Sequence, residues 1–203
     1  MPATVKITKD KQILVEGNDA KCFMYPFLEY CKIDYIQIHD FGGISDLTSF
    51  LQAFILMPGF DKVKSIGIIR DAELNATSAF QSVCSSLSSV KLPVPAKPGK
   101  KISNGKITVN TFILPNNQDP GMLESLVNSA IQNEPVFDCI QKYLTCITEK
   151  MNNEPTPKDK TILRSYLASK PNISPLTGFA ARSGYLNFHN QNYNYFKEFL
   201  FSL

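Results

Sequence analysis

SIGIIRDAELN, Ser65 to Asn75, is apolar on both alternating faces through Ile69 and turns acidic as soon as that run ends. A segment with no wet face reads as an interior strand of a parallel sheet. Behind it the apolar spacing becomes helical, from about Asn75 to Ser88. The same unit occurs twice upstream. Gln12–Val15 (QILV) is a compact strand followed by helical spacing over Asp19–Cys31, with Phe23, Phe27 and Leu28 on one face. Tyr35–His39 (YIQIH) precedes an amphipathic helix over Ser45–Met57. Strand–helix units of this kind, joined by right-handed crossovers, predict an open α/β sheet with helices on both faces.

Downstream, Ile107–Leu114 (ITVNTFIL) reads as a further strand. Helical patterns then fill Gly121–Ile131, Val136–Lys150, Thr156–Ser169 and Tyr193–Leu203. The expectation is one domain over 1–203, with an α/β core over 1–116 and a helical part over 117–203 packed against it. The aromatic terminus YNYFKEFLF is expected to close that core.

Composition narrows the class. At 203 residues and 43% hydrophobic content the chain is globular, and its net charge of +3 is mild. No run approaches the roughly 18 apolar residues of a membrane helix. The first residues, MPATVKITKDKQ, lack the apolar segment of a secretory leader, so a cytoplasmic location is expected. Five scattered cysteines (Cys22, Cys31, Cys84, Cys139, Cys146) form no CxxC pair. They are expected as small buried hydrophobes rather than zinc ligands or a disulfide framework. Between Lys91 and Lys106 the sequence KLPVPAKPGKKISNGK carries five lysines and no acid. Such a loop cannot bury its charge. Lys97, Lys100, Lys101 and Lys106 could lie along a phosphate backbone, or serve only solubility.

Ligands of an open parallel sheet collect beyond the carboxyl ends of its strands. The first strand runs into Glu16-Gly17-Asn18-Asp19, the second into His39-Asp40-Phe41-Gly42-Gly43, the third into Arg70-Asp71-Ala72-Glu73. On extended chain Asp71 and Glu73 would point to the same side. With Glu16 from another strand they would make an oxygen site for Mg²⁺. The competing reading is ordinary helix capping, which suits Asp19 and Asn75, with Asp40 as a turn residue. His39, alone near the same rim, reads as structural.

Several segments carry a resemblance: VEGND at 15–19, GIIRDAELNATSAFQSV at 67–83, FILPNNQDPGMLESLV at 112–127, KDKTILRSYLAS at 158–169 and LTGFAARSGYLNF at 176–188. Strand, Glu-Gly, helix, then strand, Gly-Gly, helix, then strand, Asp-x-acid resembles the Toprim domain of topoisomerases, primases, small ribonucleases and OLD-type nucleases. The segments together resemble a small stand-alone Toprim family known as a domain of unknown function.

The resemblance implies a Rossmann-like fold and a nuclease dependent on Mg²⁺ or Mn²⁺. It also implies nucleic acid and an ABC- or AAA-type ATPase as partners, in the setting of bacterial phage defence. Glu16 matches the Toprim glutamate, a general acid/base and sometimes a ligand. Asp71 matches the first acid of the Asp-x-Asp motif, whose second acid is here Glu73. Asp19 and Glu124 match acids that could serve a second metal. Lys160 corresponds to a lysine that holds the scissile phosphate. For Asp19 a helix cap, and for Glu124 the helix dipole, explain the residue equally well. A catalytically silent module that binds nucleic acid or a partner protein is the second reading, and a homo-oligomer is compatible with either. Nothing supports a primase or topoisomerase, and the sequence has neither a Walker P-loop nor GxGxxG.

Overall fold

The computed structural model describes residues 6–171 and 176–203. The leader-free reading of the N-terminus lies partly outside these residues, because Met1–Val5 are not among them.

The elements follow as β1 (Lys11–Val15), α1 (Asn18–Tyr30), β2 (Ile36–Asp40), α2 (Leu47–Phe54), β3 (Ser65–Asp71) and α3 (Ala76–Ser89). Then come β4 (Ile102–Ser103), β5 (Thr108–Leu114), α4 (Leu123–Ile131), α5 (Phe137–Met151), α6 (Lys158–Ala168), α7 (Thr177–Arg182) and α8 (Asn194–Phe201). The sheet has the order β2-β1-β3-β5-β4, parallel throughout except for β4, which pairs antiparallel at the β5 edge. The expected α/β architecture, with helices on both faces and a helical C-terminal part, is therefore the observed one.

Alternation along the strands assigns each face its own core. Ile13, Val15, Ile69, Phe112 and Leu114 pack with α1, α4, α6 and α8. Leu14, Ile66, Ile68, Val109 and Ile113 pack with α2 and α3. Residues one step apart point to opposite faces of a strand, and this split follows that rule. The aromatic terminus closes the first core: Phe196 lies 4.9 Å from Phe112 and 5.4 Å from Phe27, between ring centroids. Gly67 makes room for it. A Cβ there would stand 2.7 Å from Leu203 Cδ1 and 3.0 Å from Phe199 Cζ.

Several details differ from the sequence reading, among them the short strand β4 and the later starts of α4 and α6. The second helix spans Leu47–Phe54 rather than Ser45–Met57, because Asp46 turns back to accept from the Gly43 N–H. At its other end the bonds of Leu56 and Met57 tighten to partners three residues back before Pro58. Helix α7, six residues long, was not foreseen, being too short to display a period. The cysteines are not buried. Cys22, Cys139 and Cys146 are exposed and the other two half-buried. On α1 the core stripe is Phe23, Met24, Phe27 and Leu28, which leaves the Cys22 side chain outside it. Among the described residues no helix is long and apolar enough to cross a membrane.

His39 is buried on β2 and its Nε2 lies 2.8 Å from Gln12 Oε1. A carbonyl oxygen can only accept, so Nε2 carries the proton, while Gln12 Nε2 donates to the Lys9 carbonyl. Burial first, and the Lys21 charge second, lower its pKa to about 4. The unfolded chain, with an ordinary histidine, binds the extra proton more readily between about pH 4 and 6.5. Stability contributed by neutral His39 is thus present above pH 6.5 and lost as pH falls towards 4. We expect His39→Gln to remove about 2 kcal/mol of acid-induced loss across that window, read from urea unfolding at a series of pH values. An unchanged acid limb would refute it.

Candidate functional site

The strand order sets the site. The chain leaves β1 for β2 on one side and returns to β3 on the other, so a crevice opens at the carboxyl ends of β1 and β3. Val15 is level with Ile69 across this pair. One step further, Glu16 comes level with Arg70. Their charges meet with Arg70 Nε 3.7 Å from Glu16 Oε2, and both side chains are nearly buried, 6% and 12% exposed. Among the described residues neither atom has a hydrogen-bond partner, so the pair is a charge contact without a formed bond. Arg70 also reaches the Ala79 carbonyl of α3 through Nη1. No sequence pattern marks Arg70 as functional, although an arginine directly after the apolar run of an interior strand is the available signal.

Asp71 leans to the opposite face, where its Oδ1 accepts from the Leu123 N–H at 3.0 Å, at the start of α4. That contact places Glu124, the next residue of α4, at the same rim. Burial, then the charges of Glu16, Glu124 and Glu73 in that order, push Asp71 up to about 8 against the Leu123 bond. Glu16 is raised by burial, opposed by Arg70 and by the Asp71 backbone N–H, and raised further by Glu73. Glu124 is raised by burial, opposed by its own helix N–H and Lys160, and raised by Asp19 and Asp159. Carboxylates from three separate stretches of chain therefore sense one another here.

Glu73 belongs to the group for a reason other than the expected one. The strand ends at Asp71, and Glu73 has φ +52°, so the two acids do not share an extended segment. Glu73 is instead held in the left-handed region by a bridge to Gly121. Each N–H donates to the other's carbonyl at 2.8 Å. Backbone of this kind in a non-glycine residue costs about 1–3 kcal/mol and is concentrated at functional sites.

Asp19 does not cap its own helix. Gly17 is the N-cap of α1, with no side-chain bond. The Asp19 carboxylate reaches across to α7, accepting from Thr177 N–H at 3.1 Å and Gly178 N–H at 3.0 Å. It still lines a cleft of about 150 Å³ with Glu124, Lys160, Arg164 and Thr177. Asp40 Oδ1 accepts from Gly17 and Gly42, tying the first two turns together. Asn75 caps α3 through Ser78 N–H, as expected. Asp159, also not foreseen, bonds Ser125 and Asn128 and so fixes α6 against α4, carrying Lys160 to the rim.

The structure separates the lysines of the basic loop. Lys97 and Lys100 line a cleft at the β5 edge. Lys101 donates to the Ser202 carbonyl at the end of α8. Lys106 sits exposed in the β4–β5 turn, its N–H bonded to Asn104 Oδ1.

The donor set at the rim is entirely oxygen, its charges repel, and among the described residues Glu16 Oε2 is buried without a hydrogen bond. These are the conditions a hard divalent cation relieves. Among the described residues no three His, Cys, Asp or Glu side chains stand close enough together to hold a metal ion as they are placed.

The fold is shared with a hypothetical protein from Pyrococcus horikoshii OT3, at TM-score 0.60 and 16% identity over 96% of this chain and 95% of that one. The C-terminal region of the OLD protein of Xanthomonas campestris pv. campestris matches with TM-score 0.40 and 12% identity, over 97% of this chain and 87% of that one. None of the curated proteins matches the chain. A family described as "Protein of unknown function (DUF3226)" matches residues 10–203, and the chain belongs to that family.

Proposed function

We propose that the chain hydrolyses phosphodiester bonds as a Toprim-type nuclease that depends on Mg²⁺ or Mn²⁺. The observation that carries this reading is the meeting of acidic residues at the switch point of the sheet, where Glu16 Oε2 is buried without a hydrogen bond among the described residues and Asp71 is tied to the start of α4 beside Glu124. Glu16, Asp71, Glu73 and Glu124 would have to draw together to hold the cation, with Asp19 adjoining through the neighbouring cleft. A cation bound there would neutralise phosphate charge and acidify a water.

The chain's own groups account for the rest. Glu16, raised by burial, is a carboxylate brought closer to the pKa a general base needs near neutrality. It would take the proton of the water that attacks phosphorus as the bond from phosphorus to the leaving sugar oxygen breaks and that oxygen takes a proton from solvent, while Arg70 beside it keeps it oriented. Lys160, at the opening of α6 and near Glu124, would pair with a phosphate oxygen. The resemblance to OLD-type nucleases supports an ATPase partner and a role in phage defence. With no P-loop in this chain, ATP-driven control would be supplied by that partner.

The test is a calorimetric titration of the full chain with Mg²⁺ and Mn²⁺, followed by cleavage assays on DNA and RNA with and without metal. A saturable ion site and metal-dependent cleavage, both lost in Glu16→Gln, are expected. Retained cleavage in that variant would remove Glu16 from the chemistry. The second reading, a silent binding module, is favoured by Asp19, whose two oxygens are both committed to α7. Titration without a saturable site would decide for it.

A further inference from the structure

Away from the acidic rim, a cleft of about 420 Å³ opens at the β5 edge, within the size range of small-ligand pockets. Its floor is aromatic. Tyr193, Phe196, Phe199 and Leu200 of the terminal run turn into the core, and helical spacing leaves Tyr195 outside it, 46% exposed. The Tyr195 ring leans on Phe112, with centroids 5.6 Å apart. Its hydroxyl accepts from Asn117 Nδ2 at 3.2 Å. Asn117 is itself fixed, since its Oδ1 accepts from the Ile113 N–H and its backbone is left-handed, φ +69°.

Across the cleft lies the turn Lys97-Pro98-Gly99-Lys100. The Gly99 N–H donates to the Thr111 carbonyl at 2.8 Å, which pins the turn to β5, and the Lys100 N–H closes on the Lys97 carbonyl. A side chain at Gly99 would stand 3.1 Å from the Tyr195 hydroxyl and 3.3 Å from Asn117 Nδ2, with φ at +73° besides. Glycine here lets the turn approach the tyrosine hydroxyl, leaving the ring half exposed, and present a lysine at each end. Glu198 and Gln118 complete the lining with a carboxylate and an amide.

A tyrosine ring open to solvent, flanked by ammonium groups and by amide and carboxylate hydrogen-bonding groups, matches one nucleotide. The ring stacks on the base, the polar groups meet its edge, and the lysines meet the phosphates on either side. Bases within a duplex have their faces covered by neighbours, so only an unpaired base can be received. The loop after β5 links the two places: Asn117 faces this cleft, and Gly121 further along holds Glu73. We infer that the Tyr195 cleft is a subsite for one unpaired nucleotide of a single-stranded nucleic acid whose strand continues towards the acidic rim. This inference rests on the nuclease reading for its substrate class.

Binding of short, labelled, mixed-sequence single strands of DNA and of RNA to the full chain, in chelator, tests it by fluorescence anisotropy. Tyr195→Ala is expected to weaken binding about tenfold or more, while Tyr195→Phe keeps affinity near wild type. Lys97→Ala with Lys100→Ala should lower the slope of log affinity against log salt by about 0.7 per lysine. Equal binding by Tyr195→Ala and wild type, or equal binding of a duplex of the same sequence, would overturn the subsite. The ion titration reads the nuclease proposal independently. An ion site without Tyr195-dependent binding removes only the subsite. Tyr195-dependent binding without an ion site removes only the nuclease.

Discussion

Asp71→Asn is expected to make the ion-free protein more stable at neutral pH and at the same time to abolish its response to Mg²⁺. Asparagine retains an oxygen for the Leu123 N–H while removing the charge that Glu16, Glu124 and Glu73 oppose. In the wild type the folded-state pKa is raised to about 8, far above an unfolded aspartate. The folded state therefore holds the proton more tightly. Stability from protonated Asp71 is full below about pH 4 and is lost as pH climbs to about 8. The variant lacks that slope and gains on the order of 2–3 kcal/mol at pH 8. Above pH 6.5 the neutral His39 no longer contributes a slope of its own, so the two effects separate cleanly in a pH series. Thermal melts in chelator and in Mg²⁺ measure both halves. Wild type should gain stability from Mg²⁺, and Asp71→Asn should gain none while cleaving nothing. A variant less stable than wild type in chelator, or equally stabilised by Mg²⁺, would remove Asp71 from the ion site.

How much of this was legible beforehand depended on the range of each interaction. Strands β1, β2, β3 and β5 were readable because burial on both faces imposes unbroken apolar runs such as SIGII. That Glu16 and Asp71 follow such runs placed them at strand ends. The order β2-β1-β3-β5 brings those ends together, and it is a tertiary fact that local periodicity does not carry. For Glu73 the premise failed, since an extended Asp-Ala-Glu was assumed and the bridge to Gly121 turns the backbone left-handed instead. Asp19 shows the same limit. An acid in a first turn advertises a cap, yet the helix it caps lies 158 residues away in sequence. Arg70 escaped notice because its counter-charge belongs to another strand, and Tyr195 because an aromatic run reads as core throughout until the helix phase is fixed.

Gly178→Ala offers the other large effect, on stability alone. In isolation the change favours a helix by about 1 kcal/mol. Here a Cβ would stand 2.3 Å from Cys22 Cβ, 2.9 Å from the Cys22 carbonyl carbon and 3.1 Å from its Cα. Two of those atoms are backbone within α1, so no rotamer change relieves the contact. Helix α7 must back away, loosening the buried Ala180 and Ala181 and stretching both bonds that Thr177 and Gly178 N–H donate to Asp19. Overpacking against backbone belongs at the upper end of its range, so a net loss of about 3 kcal/mol is expected in urea unfolding. Gly184→Ala is the informative contrast: it too alters a glycine beside α7, but one whose Cβ would meet nothing within 4 Å among the described residues, with strain only from φ +72°. It should cost about 1 kcal/mol. Because the collision at Gly178 is chiefly between two Cβ positions, Cys22→Gly combined with Gly178→Ala should recover part of the loss, beyond the sum of the single changes. Additive losses would mean that the collision is with the α1 backbone at Cys22 rather than with its Cβ. Thr177 walls the Glu124–Lys160 cleft, so the close approach of α1 and α7 also sets the shape of the ground on which a phosphate would be met.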